Sequence, residues 1–219
     1  MPPHPEDMVR IADDLFLIAL DDRTGRFRLE AGALGLGLGG AILAELLLAG
    51  CIAVSTERVS VRPRTSPPDS LTHAIVELLA AEPQHNLRTW VTFLARDAVE
   101  KTAERLVRDR LIRREETRTL LLRPGTVTYP AADPSQVFWR SARVTKLIED
   151  KAVTDWSDCV LIGLANAVGL TRLLLRDTDE ADRAYLKWLL EQLDASPGMP
   201  HLFTAITSAA AARAMTNRR

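Results

Sequence analysis

The sequence predicts a mainly α protein: a compact helical domain with one or two short β-hairpins. Three observations carry this. Apolar residues recur at helical spacing in one segment after another. Helix-start signatures precede several of these segments, among them Asn86 and the pair Asp133-Pro134. Strand-like runs with a turn between their halves occur in only two places.

The elements follow in order. Residues 11–21 read as a helix, with Ile11, Leu15 and Ile18 on one face and Phe16, Leu17 and Leu20 widening it. Residues 21–26 form a turn, and residues 26–29 are a candidate strand. Residues 38–48 make a strongly apolar helix that stops at Gly50, as a C′ glycine would stop it. Residues 51–54 and 59–62 pair as the first hairpin, and a polar, proline-containing linker spans 62–68. A helix runs from Ser70 to Leu79, and Asn86 caps a long helical stretch ending near Leu111. The second hairpin pairs 111–114 with 119–122, and Pro124-Gly125 ends it. The helix opened by Pro134 runs past Ile148, and helices over 156–170, 179–193 and 201–215 follow, the last docking on the core. The expected domain covers residues 10–215, with a flexible N-terminal tail over 1–9. An internal echo repeats helix then hairpin over 43–62 and 103–123, with Leu46 matching Leu106 and Ile52 matching Ile112.

Composition limits the function classes. Hydrophobic residues make up 47% and charged residues 26% of 219, enough for a sizeable core. The formal net charge of -1 provides no global field for nucleic acid or acidic membranes, so any such affinity must be local. The two cysteines, Cys51 and Cys159, lie in apolar runs and read as buried thiols. The N-terminus lacks the basic segment of a signal peptide, so the expected compartment is the cytoplasm. The excess of Arg over Lys, with abundant Ala and Leu, points to a GC-rich bacterial genome. Residues 31–54 are long enough to span a bilayer, but Glu45 and the glycines favour a buried core helix. Glu45 is then expected to be covered and hydrogen-bonded.

Two motifs point to other functions. The run Gly35-Leu36-Gly37-Leu38-Gly39-Gly40 with Glu57 downstream has the outline of a dinucleotide site, and hence of a nucleotide-binding enzyme. The charged strand before it, its irregular spacing and the lack of further β-α units favour tight helix packing instead. Arg96, Arg105, Arg108, Arg110, Arg113, Arg114 and Arg118 lie along a helix and hairpin, the outline of a winged-helix nucleic-acid binder. The interleaved acids Asp97, Glu100, Glu104, Asp109, Glu115 and Glu116 read instead as ion pairs on a solvated face. Asp13-Asp14 places negative charge at a helix start, and Asp21-Asp22 sits in a turn. No catalytic constellation stands out among His4, His73, His85 and His201, and neither cofactor nor metal is expected. Trp90, Trp139, Trp156 and Trp188 read as core or subunit contacts.

The order of the segments resembles the Golgi phosphoprotein 3 family, including its bacterial members, over about residues 10 to 215. Four pieces carry the resemblance. They are the opening Ala12-Asp13-Asp14-Leu15-Phe16-Leu17, the helix Gly39-Gly40-Ala41-Ile42-Leu43-Ala44-Glu45-Leu46 with its Gly50 turn, Glu104-Arg105-Leu106-Val107 running into a Leu-rich hairpin, and Thr128-Tyr129-Pro130 leading to Asp133-Pro134. The resemblance implies a helical domain with an exposed hairpin. In eukaryotic relatives it implies a phosphatidylinositol 4-phosphate site and adaptor work. The family's lipid site uses a Trp and an Arg near the glycine-rich helix and two further Arg one turn apart. This chain carries Glu30, Gly39, Glu100 and Ala103 at the corresponding positions. Glu30 and Glu100 would repel a phosphate there.

The expectation is a non-enzymatic peripheral membrane or adaptor protein at the inner face of the membrane. Its headgroup contacts would be Arg96 and Lys101. Its membrane or subunit contact would be the hairpin with Arg118, Leu120, Leu121, Leu122 and Arg123. The expected partners are anionic or phosphorylated lipid headgroups, a membrane surface and a second copy of the chain through the hairpin. Nucleic acid is not expected.

Overall fold

The computed structural model describes residues 10–56, 58–63, 65–67, 69–117, 126–153, 155–175 and 178–216. Among them are ten helices and two two-stranded antiparallel sheets, so the mainly helical expectation is met. Helix α1 (Ile11–Ala19) is buried almost all round, because α2, α5, α6 and α7 enclose it. The turn that follows is tied by Asp21, whose carboxylate accepts from the Arg23 and Thr24 amides. Gly25 sits at φ +63, and a Cβ there would lie 2.6 Å from the Pro130 nitrogen, so both conformation and space require glycine. The strand expected over 26–29 reduces to a single bridge, Leu20 to Phe27. Phe27 instead packs its ring against Phe16 and Tyr129 at 5.0 and 5.4 Å.

Helix α2 (Ala31–Leu48) is longer than the periodicity indicated, since the glycine-rich run is helical from Ala31. Each glycine costs about 1 kcal/mol of helix propensity. Close contacts account for the choice. A Cβ on Gly35 would overlap the Ala95 carbonyl, one on Gly37 would lie 2.8 Å from Val168, and one on Gly40 would overlap Ile206. This is the packing reading of the motif. A phosphate loop would precede a helix N-terminus, whereas these glycines lie inside the helix. The helix has a mean hydropathy of 1.8 and 72% of it is buried inside the fold, which makes it the central core helix.

Gly35→Ala tests that packing. Helix propensity favours Ala by about 1 kcal/mol. Overpacking against a backbone carbonyl costs about 1–3 kcal/mol and cannot be relieved by a rotamer change. The expected result is a lower urea midpoint at an unchanged m-value. A midpoint equal to or above wild type would show that α2 and residue 95 are not rigidly apposed.

Strands β1 (Ile52–Ser55) and β2 (Arg58–Val61) form the first hairpin in the expected place. Helix α3 (Ser70–Ala81) opens with a reciprocal cap between Asp69 and Thr72. The stretch capped by Asn86 is two helices, α4 (Leu87–Leu94) and α5 (Ala98–Arg108). Between them the Arg96 and Asp97 amides bond three residues back, to Phe93 and Leu94. This tight turn falls where residue 95 presses on Gly35 and Gly39, a contact that periodicity along one helix cannot reveal.

The second hairpin differs from the sequence reading. β3 (Glu115–Thr117) pairs with β4 (Thr126–Thr128), and the pairing continues irregularly through Ile112 and Ala131. The described partner of 111–117 is therefore 126–132, and residues 119–122, expected as the return strand, lie outside the described residues. The β-branched Thr126-Val127-Thr128, which follow Pro124-Gly125 in the sequence, form the described return strand.

The internal echo has a structural counterpart. The Cys51 amide bonds the Leu46 carbonyl and the Leu111 amide bonds that of Leu106, each at 2.9 Å. Gly50 (φ +71) and Arg110 (φ +60) occupy the same left-handed cap position.

Helix α6 (Pro134–Glu149) is capped by Asp133, and α7 (Trp156–Ala167) by Asp155. The helix expected to reach residue 170 stops short of Gly169, at φ +82, and a short α8 (Thr171–Leu174) follows. Helices α9 (Glu180–Leu193) and α10 (Met199–Thr216) complete the order, and α10 docks on α2, α4 and α7. Cys51 and Cys159 are buried free thiols. Trp90 is in the core, while Trp139 beside Phe138 is 66% exposed.

Candidate functional site

Two concentrations of charge stand out. The first is buried. Arg105 is 3% exposed, and its Nε donates to Asp13 Oδ1 at 2.8 Å and its Nη1 to Asp69 Oδ2 at 2.9 Å. Glu45, 6% exposed, accepts from the Ala12 amide at 2.8 Å, as its expected burial and bonding required. Burial pushes the Glu45 carboxyl up to about 7, against the attraction of Arg105. Burial also raises Asp13, again against Arg105. At Asp69 burial is outweighed by the Thr72 amide and by Arg105, which together lower its carboxyl. The cluster joins α1, α2, the start of α3 and α5.

Arg105 thus corrects the solvated-face reading of the arginine run. It is a buried counter-ion for carboxylates distant in sequence and cannot face a nucleic-acid groove. Arg113 and Arg114, further along, pair with Glu115 and Glu116.

The second concentration surrounds an open cavity of about 620 Å³ between the start of α2, α4 and the end of α10. Arg88, Thr92 and Arg96 approach it at four-residue intervals, one face of a helical path. Gly32, Ala95, Ala209 and Ala212 leave room, and Arg213 lines the third side. Arg213 Nε donates to Glu30 Oε2 at 3.1 Å, and its Nη2 bonds Glu30 Oε1. This hydrogen-bonded pairing lowers the Glu30 carboxyl and raises Arg213. Among the described residues, neither Arg88 nor Arg96 has an ion-pair partner.

The structure separates the residues grouped by sequence. Arg96 lines this cavity and forms no ion pair with Glu100. Lys101 does not line it and lies 3.7 Å from Asp97. Glu100 and Ala103 line a different, smaller pocket with Arg114 and Tyr129. Glu30 does not line the cavity; it directly precedes the lining residue Ala31, and its charge is met by Arg213. The repulsion expected from Glu30 and Glu100 is therefore balanced at one position and displaced at the other. Arg118, Leu120, Leu121, Leu122 and Arg123 lie outside the described residues. Sequence reasoning missed Arg88 and Arg213. The spacing of Arg88, Thr92 and Arg96 was a usable signal. Arg213 offered none, being 183 residues from Glu30.

The mainly helical fold with two hairpins around a buried glycine-rich central helix is the architecture expected from the resemblance, and family membership supports a Golgi-phosphoprotein-like protein of adaptor kind. The chain belongs to the Golgi phosphoprotein 3 family: the family model described as Golgi phosphoprotein 3 (GPP34) matches residues 11–214, nearly its whole length. No curated protein matches the chain in comparison.

Proposed function

We propose that the protein is a non-enzymatic peripheral membrane adaptor that holds an anionic lipid headgroup in the cavity between α2, α4 and α10. The observation that carries this reading is the pair Arg88 and Arg96. Both face one open cavity, and neither is neutralised by a carboxylate among the described residues. Arginine offers phosphate a planar, multidentate set of donors. Family membership supports the adaptor kind. The consecutive Leu120, Leu121 and Leu122, between Arg118 and Arg123, supply by sequence the apolar contact that shallow insertion needs. Attachment would be to the inner, anionic leaflet.

The test is co-sedimentation of the full chain with phosphatidylcholine vesicles, with and without anionic lipid. Each basic charge near a charged leaflet contributes about 1 kcal/mol. Arg96→Glu reverses one charge, so binding should weaken by roughly 30-fold and wild-type binding should fall with added salt. Arg88→Glu should do the same. If both variants keep wild-type binding and fold, the cavity is not the headgroup site.

A further inference from the structure

Arg213 lines the cavity and is also engaged outside it. Its guanidinium meets Glu30 through two nitrogens and two oxygens, the forked geometry that a phosphate accepts equally well. The two side chains are 43% and 53% exposed, so solvent screens the pair and a competing anion can replace the carboxylate without exposing a buried charge. The guanidinium lies directly over Gly32, where any Cβ would overlap it, so the glycine gives Arg213 its seat at the cavity wall.

We infer that Arg213 is an exchangeable third cation of this cavity, held by Glu30 until a phosphomonoester takes its place, so that the site distinguishes phosphomonoesters from phosphodiesters. The inference rests on the headgroup reading above and adds its selectivity. Arg88 and Arg96 suffice for the single charge of a phosphodiester. A phosphomonoester carries about -1.5 to -2 at neutral pH. Its additional charge competes with Glu30 for Arg213, and Glu30 acts as the internal competitor that singly charged ligands do not displace.

The experiment uses the full chain with phosphatidylcholine vesicles containing either phosphatidic acid, a phosphomonoester, or phosphatidylglycerol, a phosphodiester. Wild type should prefer phosphatidic acid. Arg213→Gln removes one positive charge and leaves Glu30 unbalanced, so it should lower binding to both vesicles, by at least about five-fold for phosphatidic acid. Glu30→Gln should strengthen binding to both vesicles and narrow the preference. The double variant removes the pair with no change in net charge, so it should keep wild-type phosphatidylglycerol binding while phosphatidic acid binding stays roughly five-fold below wild type. Both side chains are half-exposed, and unchanged thermal midpoints would confirm that the variants fold. If Glu30→Gln and Arg213→Gln match wild type on both vesicles while Arg96→Glu loses binding, the exchange is wrong and the cavity reading stands. If wild type binds neither anionic vesicle better than the neutral one, a thermal-shift series with glycerol 3-phosphate decides. Stabilisation with the same Glu30 and Arg213 dependence would keep the exchange, assign it to a free phosphomonoester and overturn the membrane reading. No stabilisation would overturn both.

Discussion

Arg105→Ala is expected to destabilise the protein by about 3–5 kcal/mol at neutral pH, the cost of leaving buried charge without its partner. Domain stabilities are typically about 5–15 kcal/mol, so the variant should sit near the edge of folding. The substitution removes the guanidinium that meets Asp13 and Asp69 and attracts Glu45, while all three carboxyls stay in place. Acid should ease the damage, because carboxyls that cannot be paired can be protonated. Urea midpoints at pH 5 and pH 8 should therefore show a smaller deficit at pH 5. A deficit under about 1 kcal/mol at both pH values would mean that the cluster does not hold these elements together.

Glu45→Gln should change the pH dependence of stability more than any single surface substitution. The carboxyl is raised from 4.5 to about 7 in the folded chain. The folded state then binds the proton more tightly than the unfolded state. The resulting stabilisation is fully present below 4.5 and is lost as pH rises through about 7. A shift of this size corresponds to roughly 3 kcal/mol across that window. Arg105 works against the shift, and the neighbouring Asp13 and Asp69 charges reinforce it. Gln keeps a carbonyl to accept from the Ala12 amide but does not titrate. Wild type should lose stability relative to Glu45→Gln as pH is raised from 5 to above 7. Parallel stability profiles for the two proteins over this range would contradict the assignment.

The fold was more legible than the site because caps and periodicity are local. Asn86, Asp133 and Asp179 each bond an amide two or three residues ahead, so a few residues suffice to place a helix start. The first hairpin was read correctly because its whole register lies within 52–61. The second was misread because the return strand lies beyond a proline and glycine that look like an end. Arg105 shows the limit for charge. In the run of arginines and acids over 96–116, nothing local separates it from its neighbours, yet it is buried and they are exposed.

What the sequence determined by itself was the helical class, most helix starts, the first hairpin, the burial of Glu45 and the packing role of the glycines. Each depends on residue chemistry within a few turns of chain. Only the tertiary structure decided which arginines are buried and which line the cavity, and that Glu30 is balanced by Arg213. The physical reason is that the cost of a charge depends on what lies within a few ångströms of it. For Arg105 that is Asp13, 92 residues away, and for Arg213 it is Glu30, 183 residues away. Helix propensity likewise could not place Gly35 inside a helix, because the contact that favours it there comes from residue 95 on a different element.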